Sequence, residues 1–219
     1  MSDGQAISDL MEGYRRFRNG TWPDQASALQ TLVAEGQQPK VAMVACADSR
    51  IDPAQEFQAG PGEIFMIRNV ANLVPPMEES GTYHGTSAAL EFAVKELGVG
   101  HIIVLGHAHC GGVKAVMDPV AIEQKGYLFV ASWVSMLTAA ARRVVATMPD
   151  ATPEERQRAC EQHSVLVSLE NLTTFPWIAE KIAQKTLRLH GWYFDIGAGE
   201  LSVYDSALNR FEQVDIDAG

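Results

Sequence analysis

Two short runs of this 219-residue chain carry side chains able to hold and use a metal ion: Cys46-Ala47-Asp48-Ser49-Arg50 and His107-Ala108-His109-Cys110-Gly111-Gly112. Thiolate and imidazole suit zinc, and a catalytic zinc keeps three protein ligands and one position for water. Cys46, His107 and Cys110 would supply those three. Residues two apart on an extended segment point the same way, so Asp48 falls next to Cys46, at the fourth metal position or beside it. Arg50 stands two further on and can pair with Asp48 through charge-assisted hydrogen bonds. It would then compete with the metal for the carboxylate and keep the fourth position open to water. A purely structural zinc site more often uses pairs of Cys-x-x-Cys and needs neither carboxylate nor arginine.

These runs need strands to present them. Val41–Ala45 and His101–Leu105, which precede them, are continuous apolar runs of the kind found in strands covered on both faces, and Glu63–Arg68 is similar. Thr86–Leu97 reads as a helix closed by Gly98. Strand and helix alternate, which predicts a single α/β domain: a mostly parallel central sheet with flanking helices. Open sheets of this kind place their sites at the carboxyl ends of strands, so the two runs converge if their strands are neighbours.

Upstream, Ile7–Asn19 is an amphipathic helix with Ile7, Leu10, Met11, Tyr14 and Phe17 along one side. Pro23–Glu35 is a second, with Ala26, Leu29, Leu32 and Val33 inward. Residues 1–35 thus form a helical arm and 36–219 the metal-binding core. Downstream lie helices over Tyr127–Thr147, Pro153–Asn171 and Pro176–Leu187. Then Trp192–Ile196 and Glu200–Tyr204, joined by Gly197-Ala198-Gly199, form an antiparallel hairpin at the sheet edge.

Seventeen Lys and Arg against 27 Asp and Glu give a net charge of −10, which repels a phosphate backbone and argues against nucleic acid as a partner. The most apolar stretch, Tyr127–Ala141, is shorter than the roughly 20 residues of a membrane span and ends in Arg142-Arg143. It reads as a buried helix, and no membrane partner is expected. The N-terminus is polar and mixed in charge, unlike a secretory signal. With only Cys46, Cys110 and Cys160 as thiols, the expected setting is the reducing cytoplasm. Cys160 lacks a second ligand nearby and reads as structural. His84, His101, His163 and His190 read as surface or packing residues. His109 could shuttle protons or simply face solvent. Gly111 and Gly112 allow a tight turn into a helix whose first amides could serve substrate.

The two runs, with Arg68-Asn69-Val70-Ala71-Asn72-Leu73-Val74-Pro75 between them, resemble the β-carbonic anhydrases of bacteria and plants. Gln37-Gln38-Pro39-Lys40 resembles the plant-like branch. The likeness is detailed from Leu29 to Val113 and looser to Tyr204. It implies zinc on Cys46, His107 and Cys110, an Asp48–Arg50 dyad, and a homodimer or larger oligomer with active sites at the subunit interface. It also implies an apolar pocket lined by Phe65, Val70 and Phe92 beside Gly111. Gln37 would orient substrate across the interface, and the N-terminal helix would reach over the partner. The implied reaction is reversible hydration of CO₂ to bicarbonate and a proton, by attack of zinc-bound hydroxide. One position departs: allosteric bacterial members carry Trp where this chain has Met43, so a regulatory bicarbonate site is not expected. Hydrolysis of carbonyl sulfide or carbon disulfide on the same scaffold, and a non-catalytic zinc module for bicarbonate sensing or assembly, are the alternatives.

Overall fold

The computed structural model describes residues 3–80 and 83–217; residues 1–2, 81–82 and 218–219 of the expected domain lie outside the described residues. One six-stranded sheet has the order β2-β1-β3-β4-β5-β6. Its strands are β1 (Val41–Cys46), β2 (Ile64–Asn69), β3 (His101–His107), β4 (Arg188–Asp195), β5 (Glu200–Asp205) and β6 (Arg210–Gln213). The first four are parallel, and β5 and β6 complete the sheet antiparallel. The mostly parallel α/β sheet is therefore as expected. The hairpin is only partly so, because β4 starts at Arg188 and pairs parallel with β3, while the edge belongs to β6. That edge strand has one large apolar residue, Phe211, too faint a period to read. Its ring packs against Tyr204 and Tyr193, with centroids 5.4 and 6.2 Å away.

The helices are α1 (Asp3–Arg16), α2 (Trp22–Glu35), α3 (Pro53–Glu56), α4 (Gly85–Glu91), α5 (Gly111–Met117), α6 (Pro119–Gln124), α7 (Phe129–Val134), α8 (Thr138–Thr147), α9 (Pro153–Leu172) and α10 (Pro176–Ala183). β1 alternates between the two faces of the sheet. Ala42 and Val44 join Ile102 and Val104 under Leu90, Val94, Val165, Leu172 and Ile178 from α4, the turn after it, α9 and α10. Met43 and Ala45 join Ile103 and Leu105 on the opposite face with Phe57 and Trp192. A strand buried on both faces has to be apolar throughout, which is why it reads as a continuous run.

Three expectations need correction. No residue of α2 is buried, and Val33, expected inward, is 85% exposed. The run 127–147 is no single buried helix: a 3₁₀ turn at Ser135–Leu137 separates α7 from α8. Ser135 Oγ donates back to Ser132 O there, a contact that bends helices. Only one stripe, including Val134, Leu137, Ala141 and Val144, packs inward. Finally, α10 stops at Ala183, and Lys185 takes a left-handed φ of 58° before β4 begins.

Candidate metal centre

The register places Ala45 beside Leu105 and Cys46 opposite Asn69, so the two ligand runs leave the sheet as neighbours at its carboxyl end. His107 is the last residue of β3; the chain turns through His109, at φ 58°, and Cys110 caps α5. The ligand atoms of Cys46, His107 and Cys110 all lie within 4.8 Å of one another, and all three residues are buried. Cys46 Sγ and Cys110 Sγ are 3.9 Å apart. A disulfide would need about 2.05 Å. Two zinc–sulfur bonds of about 2.3 Å at a tetrahedral ion separate their sulfurs by about 3.8 Å. His107 Nδ1 donates to Ala108 O at 2.8 Å, which fixes the tautomer. Its other nitrogen, Nε2, is buried with no hydrogen-bond partner. An orphaned imidazole lone pair facing two thiols fits a metal ion and little else.

The surrounding backbone favours sulfur in its charged form. Cys46 Sγ accepts from Ala71 N–H at 3.4 Å. The backbone of Gly112 and Val113, at the start of α5, favours the charged form of Cys110. A hydrogen bond from Cys110 draws the Cys46 thiol down to about 4, despite burial. The same contact, and then burial, push Cys110 up. Two buried thiols this close resist losing both protons unless a cation lies between them.

Arg50 grips Asp48 with three donors: its backbone N–H and Nε reach Oδ1 at 3.0 and 2.9 Å, and Nη2 reaches Oδ2 at 2.7 Å. This holds the carboxyl well below the usual carboxylate range. Asp48 Oδ2 lies 4.0 Å from His107 Nε2, beside the three-ligand cluster and not within it.

The pocket residues divide. Val70 packs against the start of α5, two residues from Cys110: a Cβ on Gly112 would come within 2.7 Å of its Cγ1, so glycine is required for this approach. Phe65 and Phe92 stack on each other, centroids 5.9 Å apart, but at the level of Ala42. That is four residues along the sheet from Cys46, about 13 Å at the usual rise. Within one chain they do not flank the metal position. Gln37 is exposed on the segment before β1, and Phe92 is 46% exposed. Gly111, at the first position of α5, faces open space. His109 is exposed, with its carbonyl rather than its ring engaged, by Arg50. His101 and His190 pair at 3.0 Å, partly buried. Cys160 is fully buried, and burial raises its thiol to about 12, an inert packing residue.

Several supporting residues, some of them within the Arg68–Pro75 run, were given no role from sequence. Arg68 donates to the carbonyls of Cys46, Asp48 and Ile51 at 2.9, 2.8 and 3.0 Å, pinning the loop that carries Asp48. Ala71 and Asn72 hold left-handed φ values of 64° and 50°, a strain that persists only where surroundings fix it. Helix α9 does so: Asn72 Nδ2 donates to Ser164 Oγ, Ser168 Oγ to Asn72 O, and Asn171 Nδ2 to Val74 O. These residues, at 164, 168 and 171 with Glu161 before them, fall on one face of α9, but the helix is polar on several sides, so nothing in its pattern marked that face.

The carbonic anhydrase family model matches residues 41–201. A carbonic anhydrase of Pseudomonas aeruginosa is 37% identical over 205 residues, 94% of this chain and 90% of that protein. Among solved structures, the β-carbonic anhydrase CcaA superposes with a TM-score of 0.89 at 32% identity, over 97% of this chain and 94% of its own. One of two tetrameric β-carbonic anhydrases from the ascomycete Sordaria macrospora gives 0.70 at 29% identity, covering 91% and 94%. The register that juxtaposes Cys46, His107 and Cys110 spans this matched region, and the chain belongs to the β-class carbonic anhydrases.

Proposed function

We propose that this protein catalyses the reversible hydration of CO₂ to bicarbonate and a proton, with zinc held by Cys46, His107 and Cys110. The strongest support is the unpartnered, buried His107 Nε2 between two thiols, next to a carboxylate already occupied by Arg50. When bound, zinc supplies a Lewis acid that makes water nucleophilic near neutral pH. The chain's own residues do the rest. Asp48 Oδ2, on the His107 side, can accept a hydrogen bond from the attacking oxygen and orient it. Arg50 keeps that carboxylate ionised and turned from the ligand position. Val70 offers an apolar wall, suited to a substrate without charge or dipole.

The site is completed by a second copy. Phe65, Phe92 and Gln37 lie away from their own chain's ligands, yet Phe92 and Gln37 are open to a neighbour. The apolar side of α1 is also uncovered: Ile7 is 65%, Leu10 72% and Tyr14 58% exposed. The tetrameric Sordaria proteins support a homo-oligomer. Cytoplasmic residence is the setting that suits three free thiols. Stopped-flow CO₂ hydration by the zinc-loaded protein tests the activity, with carbonyl sulfide and carbon disulfide as rival substrates. Hydration slower than turnover of either sulfur compound would overturn the assignment.

A further inference from the structure

One residue of that face of α9 reaches the ligand loop itself. Glu161 is 2% exposed, and three donors converge on its carboxylate. Cys110 N–H and Gln157 Nε2 donate to Oε1 at 2.9 and 2.8 Å, and Tyr193 Oη donates to Oε2 at 2.8 Å. None of the ion pairs among the described residues includes it. Nearby Arg158 is directed elsewhere, to Asp195 Oδ2 at 3.2 Å and over the Tyr193 ring. Burying a carboxylate without a cation is costly, and simple packing would be served by an apolar side chain.

We propose that Glu161 is a positioning residue for the metal centre, an inference that rests on the metal-site reading above. The loop it grips needs an external hold. His109 sits in a left-handed conformation, and Cys110 caps α5, so its N–H lies outside that helix's own hydrogen bonding. By accepting Cys110 N–H, Glu161 fixes where Cys110 Sγ and, three residues earlier on the same loop, His107 Nε2 point. Tyr193 on β4 and Gln157 on α9 in turn fix Glu161. Three donors facing one side chain call for an acceptor with no donor of its own. Glutamine has the same shape but would turn an NH₂ against one of them.

The test uses cobalt(II) in place of zinc, reading thiolate-to-cobalt and ligand-field bands, and metal release to a chelator. Glu161→Gln should shift the bands and speed release at least about tenfold, the range seen when residues supporting metal ligands are lost. Tyr193→Phe keeps the carboxylate but removes one of its anchors, and should act in the same direction more weakly. Leu172→Ala, elsewhere in the same helix, should lower thermal stability and leave bands and release rate unchanged. Wild-type bands and release in the Gln variant would overturn the proposal, as would an equal shift in Leu172→Ala. If the Gln variant does not fold, unchanged bands in Tyr193→Phe overturn it alone. None of these readings needs CO₂ turnover. A wild type that binds cobalt but hydrates no CO₂ would therefore sink the proposed activity and leave the role of Glu161 standing.

Discussion

Arg50 and His109 are joined by a 2.8 Å hydrogen bond from Nη2 to the carbonyl, so the guanidinium that clamps Asp48 also ties the loop after β1 to the loop after β3. The two halves of the site are thereby coupled outside the sheet. The carbonyl it takes belongs to the residue in the left-handed conformation, the point where the ligand loop is most strained.

A planar fork is what this bridging requires, and lysine, a point charge on a flexible stem, cannot reproduce it. Arg50→Lys is expected to lower kcat/KM for CO₂ hydration by about 100-fold, the scale set by loss of an oriented donor. Arg50 is half exposed and touches no ligand sulfur, so zinc content and thermal midpoint should stay near wild type. Loss of zinc along with activity would instead show that Arg50 serves chiefly to hold the ligand loops together.

Asp48 titrates below the usual carboxylate range because Arg50 donates to it. Its stabilising contribution is fully present above the unfolded value of about 3.9 and is lost only as pH falls through the lower folded value. The dyad is therefore intact from pH 5 to alkaline, and activity changes there arise at the reacting water. With zinc on Cys46, His107 and Cys110, two thiolates would donate more charge than two imidazoles, and its water would be less acidic than on a three-histidine site. Hydration should rise from about pH 7 to 9. A flat profile would contradict this. In Arg50→Ala the carboxyl returns toward its ordinary value, and the acid limb should move upward.

The sheet core and the ligand set were legible because they follow from short-range rules. The middles of β1 and β3 are buried on both faces and so are apolar, and the ligands stand at or just past their carboxyl ends. The supporting contacts were not legible. Arg68 acts on backbone carbonyls around Cys46 and Asp48, and nothing in its neighbours along the chain marks that role. The Ala71–Asn72 turn uses left-handed conformations without glycine, so the residue type that normally signals such a turn is missing. Phe65 and Phe92 carried family character, but their distance from Cys46 within one chain depends on register, which spacing does not give.

Gly111 and Gly112 are adjacent and should behave differently. A Cβ on Gly112 would lie 2.7 Å from Val70 Cγ1 and 2.9 Å from Ala71 Cβ, whereas one on Gly111 meets nothing within 4 Å. Gly112→Ala must displace the segment whose Ala71 N–H supports Cys46 Sγ. It is expected to cost about 1–3 kcal/mol, as overpacking does, and to weaken metal binding. Gly111→Ala should leave both nearly unchanged. Denaturant unfolding and zinc competition on the pair measure the contrast, and equal effects would refute it.

Met43 is 1% exposed among Ala45, Ile103 and Leu105, packed as an apolar core side chain. With methionine in place of the tryptophan of allosteric members, bicarbonate is expected to act only as product and substrate. Hydration rates at pH 7 against rising bicarbonate are expected to follow simple product inhibition. A steep, cooperative loss of activity would reveal a regulatory site elsewhere in the protein.

Helix α1 gives the most direct test of assembly. Its apolar side lies along one face, and among the described residues Leu10 and Tyr14 stay largely exposed. A contiguous apolar strip of this kind in a folded protein marks a surface that meets a partner. Leu10→Asp combined with Tyr14→Asp should lower the mass measured by light scattering toward that of one 23.8 kDa chain. The metal ligands lie in the core of each chain, so zinc content should be retained. Because Phe65, Phe92 and Gln37 would be withdrawn from the neighbouring site, CO₂ hydration should fall in the same variant. An unchanged mass would remove α1 from the interface, and a full drop in mass with undiminished hydration would show that each chain is catalytically complete.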